Sequence, residues 1–460
     1  MKAIRLQRFK GYRDSGWIDL RPPIILLLGA NSSGKSALLN ALLMLKQSLE
    51  DASYKNPFVF YAKKGVDIGS FEDAVFRHEV DIKKPMAFSF DVEVEKDFSE
   101  FNLSKGDSVI LSIKVAYNQK RRTNVIIGFD MVRDSDKKCI LSMRKRSTST
   151  TAKASFKSDL FEVPDDLFLT WSNFLPATSQ KKSNTFPLTF PITFEKHDGG
   201  ENKLLHELHE LNRDIVLQII NHLQYIVHIG PLRPEPERTY QFTGETPSDV
   251  GRDGHDALKI LFLDKYSASS KNLIDDVNRW LETMGYVLEW DILKGEMAQL
   301  MLKDKSGMQI NLKDAGFGIS QLLPVLIQGY LAEEEQIILM EQPEIHLHPR
   351  AQADLGDMFI ALAEQKKSLI VETHSEHLML RLRRRIAEQK IPKEMVGIYF
   401  IEWKDGESVV SRIELDDYGQ MVNVPEGFKT FFSDDFEETM KITKEIAKRH
   451  AKEIECENSA

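Results

Sequence analysis

Cysteine is nearly absent from this sequence of 460 residues, which contains only Cys139 and Cys456. Two cysteines cannot form the disulfide framework of a small secreted domain, so we expect a reducing, cytoplasmic environment. Long apolar runs are also missing. The longest, residues 24–28 and 322–327, are far too short to span a bilayer. We therefore expect a soluble cytoplasmic protein without membrane partners.

The sequence also lacks an extreme composition and a net positive charge. It has 25 glycines, 17 prolines, 42% hydrophobic and 28% charged residues, which excludes collagen-like and disordered chains. At this length we expect roughly two to three structural units. The net charge of −9 argues against indiscriminate nucleic-acid binding by the whole surface.

Positive charge is concentrated in one segment, residues 119–157, where eleven basic residues face three acidic ones, a local charge of +8. Two interpretations stay open. The segment is either a solvated surface of strands and loops, or a contact surface for nucleic acid, a phage component or an acidic nuclease subunit. Aromatic residues do not alternate with the basic ones in the way that base stacking on single strands requires.

Hydrophobic periodicity predicts an α/β organisation. Residues 24–28 form a continuous apolar run typical of a buried strand, and residues 37–49 have helical spacing, so the two form a βα unit. Alternation with a period of two predicts antiparallel strands between about residues 85 and 163. Polar composition predicts exposed loops or poorly ordered segments at 144–157 and 175–191.

Helical and strand patterns continue to the end of the chain. Helices are predicted at 202–223, 272–284, 320–331, 350–363 and 375–389, and a charged helix is predicted after residues 425–427. Strands are predicted at 309–312, 336–340, 368–371, 395–402 and 408–415.

The loop between the first apolar strand and its helix carries a phosphate-binding motif. Residues 29–36 read GANSSGKS and match G-x-x-x-x-G-K-[ST] in the strand-loop-helix context that the motif requires. Its backbone amides curl around a phosphate, Lys35 reaches the β- and γ-phosphates, and the Ser36 hydroxyl can ligate Mg²⁺. The segment is therefore predicted to be a Walker A loop.

A second strand, residues 337–340, ends in the carboxylate of Glu341. Phosphate-loop enzymes place an acidic residue for Mg²⁺ at the end of such an apolar strand. Glu341 is therefore predicted to be the Walker B acid.

Four segments together resemble the ABC-type ATPases. They are the Walker A loop, residues 314–324 (DAGFGISQLLP), 341–349 (EQPEIHLHP) and 372–375 (ETHS), which resemble the Walker A, signature, Walker B with D-loop, and switch-histidine elements. Within these ATPases the sequence resembles the OLD/RecF-like branch, which includes ATPase subunits of anti-phage systems such as Septu PtuA and the ATPase of PARIS.

This resemblance implies an α/β fold, namely an ABC-type P-loop ATPase head with a mixed sheet, an antiparallel β-rich insertion and a helical segment. The sequence has no long heptad array, so we expect no long coiled coil. Relatives of the OLD type append a Toprim nuclease domain, but only about seventy residues follow Gln389, so we expect none here. The expected division is an N-terminal ATPase lobe at 1–80, a basic β-rich insertion at 81–200, a helical linking segment at 201–305, a C-terminal ATPase lobe at 306–425 and a charged helix at 426–460.

The resemblance further implies ATP and Mg²⁺ as cofactors and at least a dimer, since ABC-type ATPases hold ATP between two copies. The implied catalytic residues are Lys35, Glu341, Gln342 and His374, and the implied Mg²⁺ ligands are Ser36 and Glu341. The implied nucleotide-binding residues are Gly29, Asn31, Ser33, Gly34, Lys35, Ser36, Ala37, Gly316, Gly318, Ser320 and Gln321. The last four would come from the second copy.

Gln342 departs from the family pattern, which has a glutamate after the Mg²⁺-binding acid to polarise the attacking water. An amide can orient water but cannot accept its proton, and a general base typically contributes about 10²–10⁴-fold. We therefore expect slow or activator-dependent hydrolysis, with Glu344 as a possible substitute base nearer the dimer seam. Whether Gln342 is native to this branch or an engineered trap stays open.

Several other residues have two interpretations. Glu344, His346 and His348 resemble a metal cluster by composition, but the D-loop interpretation is favoured. Arg233 and Arg238 can approach phosphates or a partner, although charged loop residues beside proline-rich turns are the favoured interpretation.

Three functions remain as hypotheses. The leading one is an ATP-dependent switch that oligomerises and controls a separate effector, expected to be a nuclease, in anti-phage defence. The alternatives are a RecF-like ATPase of DNA repair and a scaffold in which Gln342 keeps ATP as a structural cofactor.

Overall fold

The structure is a computed structural model. It describes residues 1–52, 56–63, 65–149, 153–163, 167–171, 173–177, 192–193, 203–242, 247–266, 271–294 and 297–429. The predicted loop at 175–191 lies outside the described residues except for its first three positions, and nearly all of the predicted C-terminal helix lies outside them as well.

The strands are numbered in chain order. They are β1 (Ala3–Phe9), β2 (Tyr12–Asp19), β3 (Ile24–Leu28), β4 (Met86–Glu93), β5 (Ser108–Asn118), β6 (Thr123–Arg133), β7 (Cys139–Lys145), β8 (Ala154–Lys157), β9 (Phe168–Trp171), β10 (Pro176–Ala177), β11 (Ile192–Thr193), β12 (Ile226–Ile229), β13 (Tyr240–Gln241), β14 (Tyr286–Ile292), β15 (Met297–Asp304), β16 (Gln309–Asn311), β17 (Ile337–Glu341), β18 (Ser368–Glu372), β19 (Val396–Lys404), β20 (Glu407–Leu415) and β21 (Met421–Val422).

The helices are numbered in the same way. They are α1 (Lys35–Asp51), α2 (Phe71–Ala74), α3 (Lys203–Gln224), α4 (Ala257–Lys265), α5 (Leu273–Leu281), α6 (Phe317–Leu331), α7 (Pro349–Glu364) and α8 (Glu376–Ala387). Among the described residues the longest helix is α3, with 22 residues, so this part of the chain has no long coiled coil. None of the described helices is long and apolar enough to cross a membrane.

A mixed seven-stranded sheet forms the centre, in the order β12-β17-β18-β3-β19-β20-β21. The first five strands are parallel and the last two are antiparallel additions. β3 and β17 are buried at every position, which is what a parallel strand covered on both faces requires. The predicted mixed α/β sheet is confirmed.

Alternate residues of β3 enter two different hydrophobic cores. Ile25 and Leu27 pack into a core that contains α1, α3 and the antiparallel strands, whereas Leu26 and Leu28 pack into a core that contains α4 to α8. Because successive side chains of a strand point to opposite faces, one apolar run serves both layers.

A second seven-stranded sheet is antiparallel, in the order β2-β1-β4-β5-β6-β7-β8. The strands of the predicted β-rich segment therefore continue the sheet that β1 and β2 begin, and they share its core. The predicted helical segment at 201–305 contains α3 to α5 but also β12 to β15. The domain boundaries themselves stay predictions.

The prediction of an exposed loop at 144–157 was wrong at both of its ends. β7 extends to Lys145, and β8 pairs with it from Ala154 to Lys157. Ala154 and Phe156 pack against the adjacent core, which stabilises an edge strand whose composition is otherwise that of a loop.

The functional segments share one edge of the central sheet. α1 follows β3, the D-loop and α7 follow β17, and α8 follows β18. Because these strands are parallel, their carboxyl ends meet there, which is where open α/β sheets bind ligands.

Candidate functional site

The Walker A loop has the backbone that its sequence predicts. Gly29 and Gly34 have φ angles of 145° and 116°, which disfavour any residue with a side chain. A Cβ atom on Gly29 would also lie 2.0 Å from the carbonyl oxygen of Ile401. The hydroxyl of the buried Tyr12, the first residue of β2, donates to the Gly34 carbonyl oxygen at 2.7 Å. Strand β2 therefore supports the loop at the point where α1 begins.

Lys35 is buried within this loop. Its side chain is 3% exposed, and its Nζ donates to the carbonyl oxygens of Gly29 and Ala30 at 2.9 Å each. Nζ also lies 3.8 Å from Oε1 of Glu372. Burial lowers the pKa of Lys35, while the carboxylates of Glu372 and Glu344 act in the opposite direction. The ammonium group is thus held at the carboxyl end of the sheet among acidic side chains.

Two carboxylates meet beside Lys35. Glu341 ends β17 and Glu372 ends β18, and the parallel register places them directly opposite each other. Oε1 of Glu341 lies 2.8 Å from Nε2 of His228, whereas Oε2 of Glu372 is buried and has no hydrogen-bond partner among the described residues. Burial raises the pKa of Glu372, with Ser36 and Lys35 opposing this shift. Glu372 was not among the predicted site residues, although it ends an apolar strand just as Glu341 does.

Ser36, Glu341 and Glu372 are oxygen donors of the kind that Mg²⁺ prefers. The unpartnered oxygen of Glu372 shows that this corner has acceptor capacity that the described residues leave unused. Three or more His, Cys, Asp or Glu residues placed to hold a metal do not occur in the described part of the chain, including at Glu344, His346 and His348. The side chains at this corner therefore fit the oxygen ligands that Mg²⁺ would need, without forming a complete protein cage among the described residues.

Ser36 and Glu372 border one cleft of ≈ 410 Å³, whereas Glu341 does not line it. Its lining consists of Gly11, Asn31, Ser32, Gly34, Lys35, Ser36, Ala37, Gln342, Glu372, Trp403 and Ser408. Gln342 has a φ angle of 45°, and its backbone N–H donates to the Glu372 carbonyl oxygen at 2.8 Å. The structure thus brings Gln342 to the cleft that also contains the Walker A residues.

The signature residues lie elsewhere, at the start of α6, and none of them lines this cleft. Gly316 precedes the helix, and a Cβ atom on Gly318 would lie 2.6 Å from the carbonyl oxygen of His346. The signature helix therefore packs closely on the D-loop. The Ser320 hydroxyl donates to the Phe317 carbonyl oxygen at 2.9 Å, and the side chain of Gln321 is turned inward.

Residues 24–380 match the family described as "AAA domain, putative AbiEii toxin, Type IV TA system". This chain belongs to that family. The chain therefore has the α/β fold of a P-loop ATPase of ABC type, with Walker A and Walker B elements both inside the match. No curated protein matches the sequence.

Similarity to solved structures is low. A crystal structure of an Smc head bound to the C-terminal winged-helix domain of ScpA has 12% identity and a TM-score of 0.43, covering 90% of this chain and 98% of that chain. The SMC head domain from Thermotoga maritima has 11% identity and a TM-score of 0.37, covering 90% and 99%. An Smc head domain bound to the C-terminal domain of ScpA from Pyrococcus furiosus has 12% identity and a TM-score of 0.41, covering 97% and 99%.

In this AAA-domain protein, Arg233 joins the signature helix to the Walker B strand. Its guanidinium donates to the carbonyl oxygens of Gln321 at 3.3 Å and Glu341 at 3.1 Å. The Gln321 side chain in turn donates to the carbonyl oxygen of Arg233 at 3.2 Å. Burial lowers the pKa of Arg233 to about 10, against the attraction of Glu344 and Glu341. Arg233 lies in a loop beside prolines, as the favoured interpretation predicts, but its side chain is buried.

Arg238 fits its predicted interpretation better. It forms a two-point ion pair with Asp314, at 2.6 and 2.8 Å, and both side chains are more than half exposed. The pair lies at the start of the signature segment, where its energetic contribution is small because water screens it.

Glu344 connects the D-loop to the switch histidine. Its Oε1 accepts a hydrogen bond from the backbone N–H of His374 at 2.8 Å, and its carboxyl group is buried. Burial raises the pKa of Glu344 despite this hydrogen bond and the nearby Arg233. Burial, and to a lesser extent Lys35, lowers the pKa of His374, which favours its neutral form.

Part of the positive charge in the basic segment at 119–157 is paired within the segment, although its net charge stays +8. Arg133, Lys137, Lys138 and Arg144 form ion pairs with the three acidic residues of the segment, Asp130, Asp134 and Asp136. Lys120, Arg121 and Arg146 border a separate surface hollow. A contact surface for nucleic acid or an acidic protein stays a prediction.

We predict that Arg233→Met lowers the free energy of unfolding by roughly 1–3 kcal/mol, because buried carbonyl oxygens lose their donor. Urea denaturation of this variant and of the wild type measures the change in the free energy of unfolding. Arg238→Met is the matched control and should leave the midpoint unchanged within error. Equal effects of the two substitutions would contradict the buried linkage.

We predict a pH-dependent effect for Glu344→Gln. Because its folded-state pKa is raised above the usual 4.5, the folded chain binds this proton more tightly, and stability is lost as pH rises through that pKa. The variant should match the wild type near pH 4.5 and have a higher thermal midpoint at pH 8. For comparison, Glu333→Gln at an exposed site should change the midpoint equally at both pH values, and a constant difference for Glu344→Gln would refute the expectation.

Proposed function

We propose that two copies of this chain hold ATP and Mg²⁺ between the Walker A loop of one copy and the signature segment of the other. The ATP-bound dimer then acts as a switch that controls a separate effector, expected to be a nuclease, in bacterial anti-phage defence.

This proposal rests mainly on one observation: the Walker A loop and the signature segment lie at separate places in one chain. Lys35, Ser36 and Gln342 line the cleft, whereas Gly316, Gly318 and Ser320 belong to the start of α6 and do not line it. The first residue of α6, Phe317, is 45% exposed. An exposed helix start carries backbone N–H groups suited to an anion, which supports a phosphate supplied by another copy.

The chain's own residues account for binding. The loop amides and Lys35 neutralise the phosphates, and Ser36 and Glu341, with Glu372 beside them, would hold Mg²⁺. When bound, Mg²⁺ neutralises charge on the β- and γ-phosphate oxygens. Binding a phosphate would draw Lys35 from the carbonyl oxygens of Gly29 and Ala30, which couples nucleotide binding to the loop.

Hydrolysis is expected to be slow. Gln342 borders the cleft at the position where the ABC-type ATPases have a glutamate. Its amide can orient water but cannot accept a proton. This observation also favours a second candidate, a scaffold in which ATP is kept as a structural cofactor. Turnover of bound ATP, stimulated by a partner, would favour the switch.

Control of an effector and a role in defence rest on the resemblance to anti-phage ATPases. The family description names a toxin of a type IV TA system, which is compatible with a chain that works with a second component. The local charge of +8 in residues 119–157 would attract nucleic acid and an acidic effector subunit alike.

We predict that Lys35→Ala weakens ATP binding by about 10- to 100-fold, because a buried charge-assisted contact to phosphate is lost. Calorimetry with Mg-ATP measures the affinity, and light scattering measures ATP-dependent dimerisation. Lys105→Ala, at an exposed lysine that does not line the cleft, is the control. Unchanged ATP affinity in Lys35→Ala would reject the phosphate loop, and a monomer in every nucleotide condition would reject the shared site.

We predict that Gln342→Glu raises ATP turnover by about 10²–10⁴-fold, because the new carboxylate can accept a proton from water. Phosphate release at saturating Mg-ATP measures the rate. Gln365→Glu at an exposed position should leave turnover unchanged. If Gln342→Glu binds ATP normally but remains inactive, position 342 does not limit hydrolysis.

A further inference from the structure

The cleft has two chemically different ends. Lys35, Ser36 and Glu372 supply charge at one end, as phosphates and Mg²⁺ require. Gly11, Trp403 and Ser408 also line it and supply an aromatic ring and a hydroxyl. No phosphate chemistry accounts for these three residues.

Trp403 lies near the end of β19 and is held beside the Walker A loop by close backbone contacts. The Ser408 backbone N–H donates to the Gly11 carbonyl oxygen at 2.7 Å, and Trp403 and Ser408 are register partners in the β19–β20 hairpin. A Cβ atom on Gly11 would lie 3.0 Å from the Trp403 ring and 2.4 Å from the Ser408 hydroxyl. The hairpin also approaches Gly34, whose Cβ would lie 2.5 Å from that hydroxyl.

Trp403 is 58% exposed despite this fixed position, so a large aromatic surface is available beside the phosphate loop. Ser408 is the second, independent observation. It is 2% exposed, and its hydroxyl has no hydrogen-bond partner among the described residues. A buried hydroxyl without a partner is costly, and a ligand in the cleft would supply one.

We propose that Trp403 and Ser408 form the nucleoside-binding end of this cleft, with the indole ring stacking on the purine base of ATP. This inference rests on the proposed function, because the phosphates must lie on Lys35. Stacking on an aromatic ring suits any base but is stronger for the larger purine ring system, and the Ser408 hydroxyl hydrogen-bonds to the base or the ribose. Trp403 is thus a specificity-determining residue for the bound nucleotide.

The test compares nucleotides with inorganic tripolyphosphate, which carries the phosphates without a base. Trp403→Ala should bind Mg-ATP about 10- to 100-fold more weakly and lose any preference for ATP over CTP, while its affinity for tripolyphosphate stays unchanged. Trp403→Phe should recover part of the affinity. In the wild type, ATP but not tripolyphosphate should quench tryptophan fluorescence, and Trp403→Phe should remove that quenching.

Trp17→Ala is the matched control, because Trp17 is also partly exposed but does not line the cleft. Equal losses for ATP and tripolyphosphate in Trp403→Ala would show a structural role and overturn the base site. Unchanged ATP affinity, with or without altered self-association, would also overturn it. If Lys35→Ala still loses ATP in that case, the proposed function stands; if Lys35→Ala retains ATP, both fail.

Discussion

The register of three parallel strands determines the site. Glu341 of β17 pairs with Glu372 of β18, which pairs with Leu27 of β3, so two carboxylates and the start of the phosphate loop reach the same level of one sheet edge. A parallel sheet covered on both faces fixes this register, because a slip of one residue would move every apolar side chain to the wrong core. The chemistry at the edge is therefore set by hydrophobic packing below it.

That edge concentrates buried charge that does not favour folding. Lys35, Glu344, Glu372 and Arg233 are all largely buried, and burial shifts the pKa of each toward its neutral form. Buried ion pairs are weak sources of stability, because removing charges from water costs about as much as their attraction returns. The arrangement is understandable if the site is built to hold a polyanion and its cation, since such ligands supply the missing partners. Stability is thus exchanged for a site that is organised before binding.

Sequence predicted those parts of the site whose residues are contiguous. The Walker A loop, the strand ending at Glu341 and the helix after residue 316 follow from local pattern, and the predicted element ends differ from the structure by only a few residues. Contacts between distant segments could not be predicted. Arg233 meets Gln321 and Glu341 across about ninety and one hundred residues, and its burial depends on tertiary packing alone. Ion pairing within the basic segment could not be predicted for the same reason, since the Arg144 side chain reaches Asp130 on the neighbouring strand.

The site also shows why nucleotide binding would change more than the loop itself. Gly318 of the signature helix contacts the D-loop backbone, Glu344 of the D-loop holds the backbone of His374, and Arg233 joins the signature helix to the Walker B strand. A displacement of any one of these segments would strain its contacts with the others. These contacts are buried, so water cannot replace a hydrogen bond that is lost. A second copy that docks its signature helix on bound ATP would therefore act on the same connected unit as the phosphates do. Under the proposed function, this connected unit would link nucleotide binding in one copy to the surface that meets the second copy.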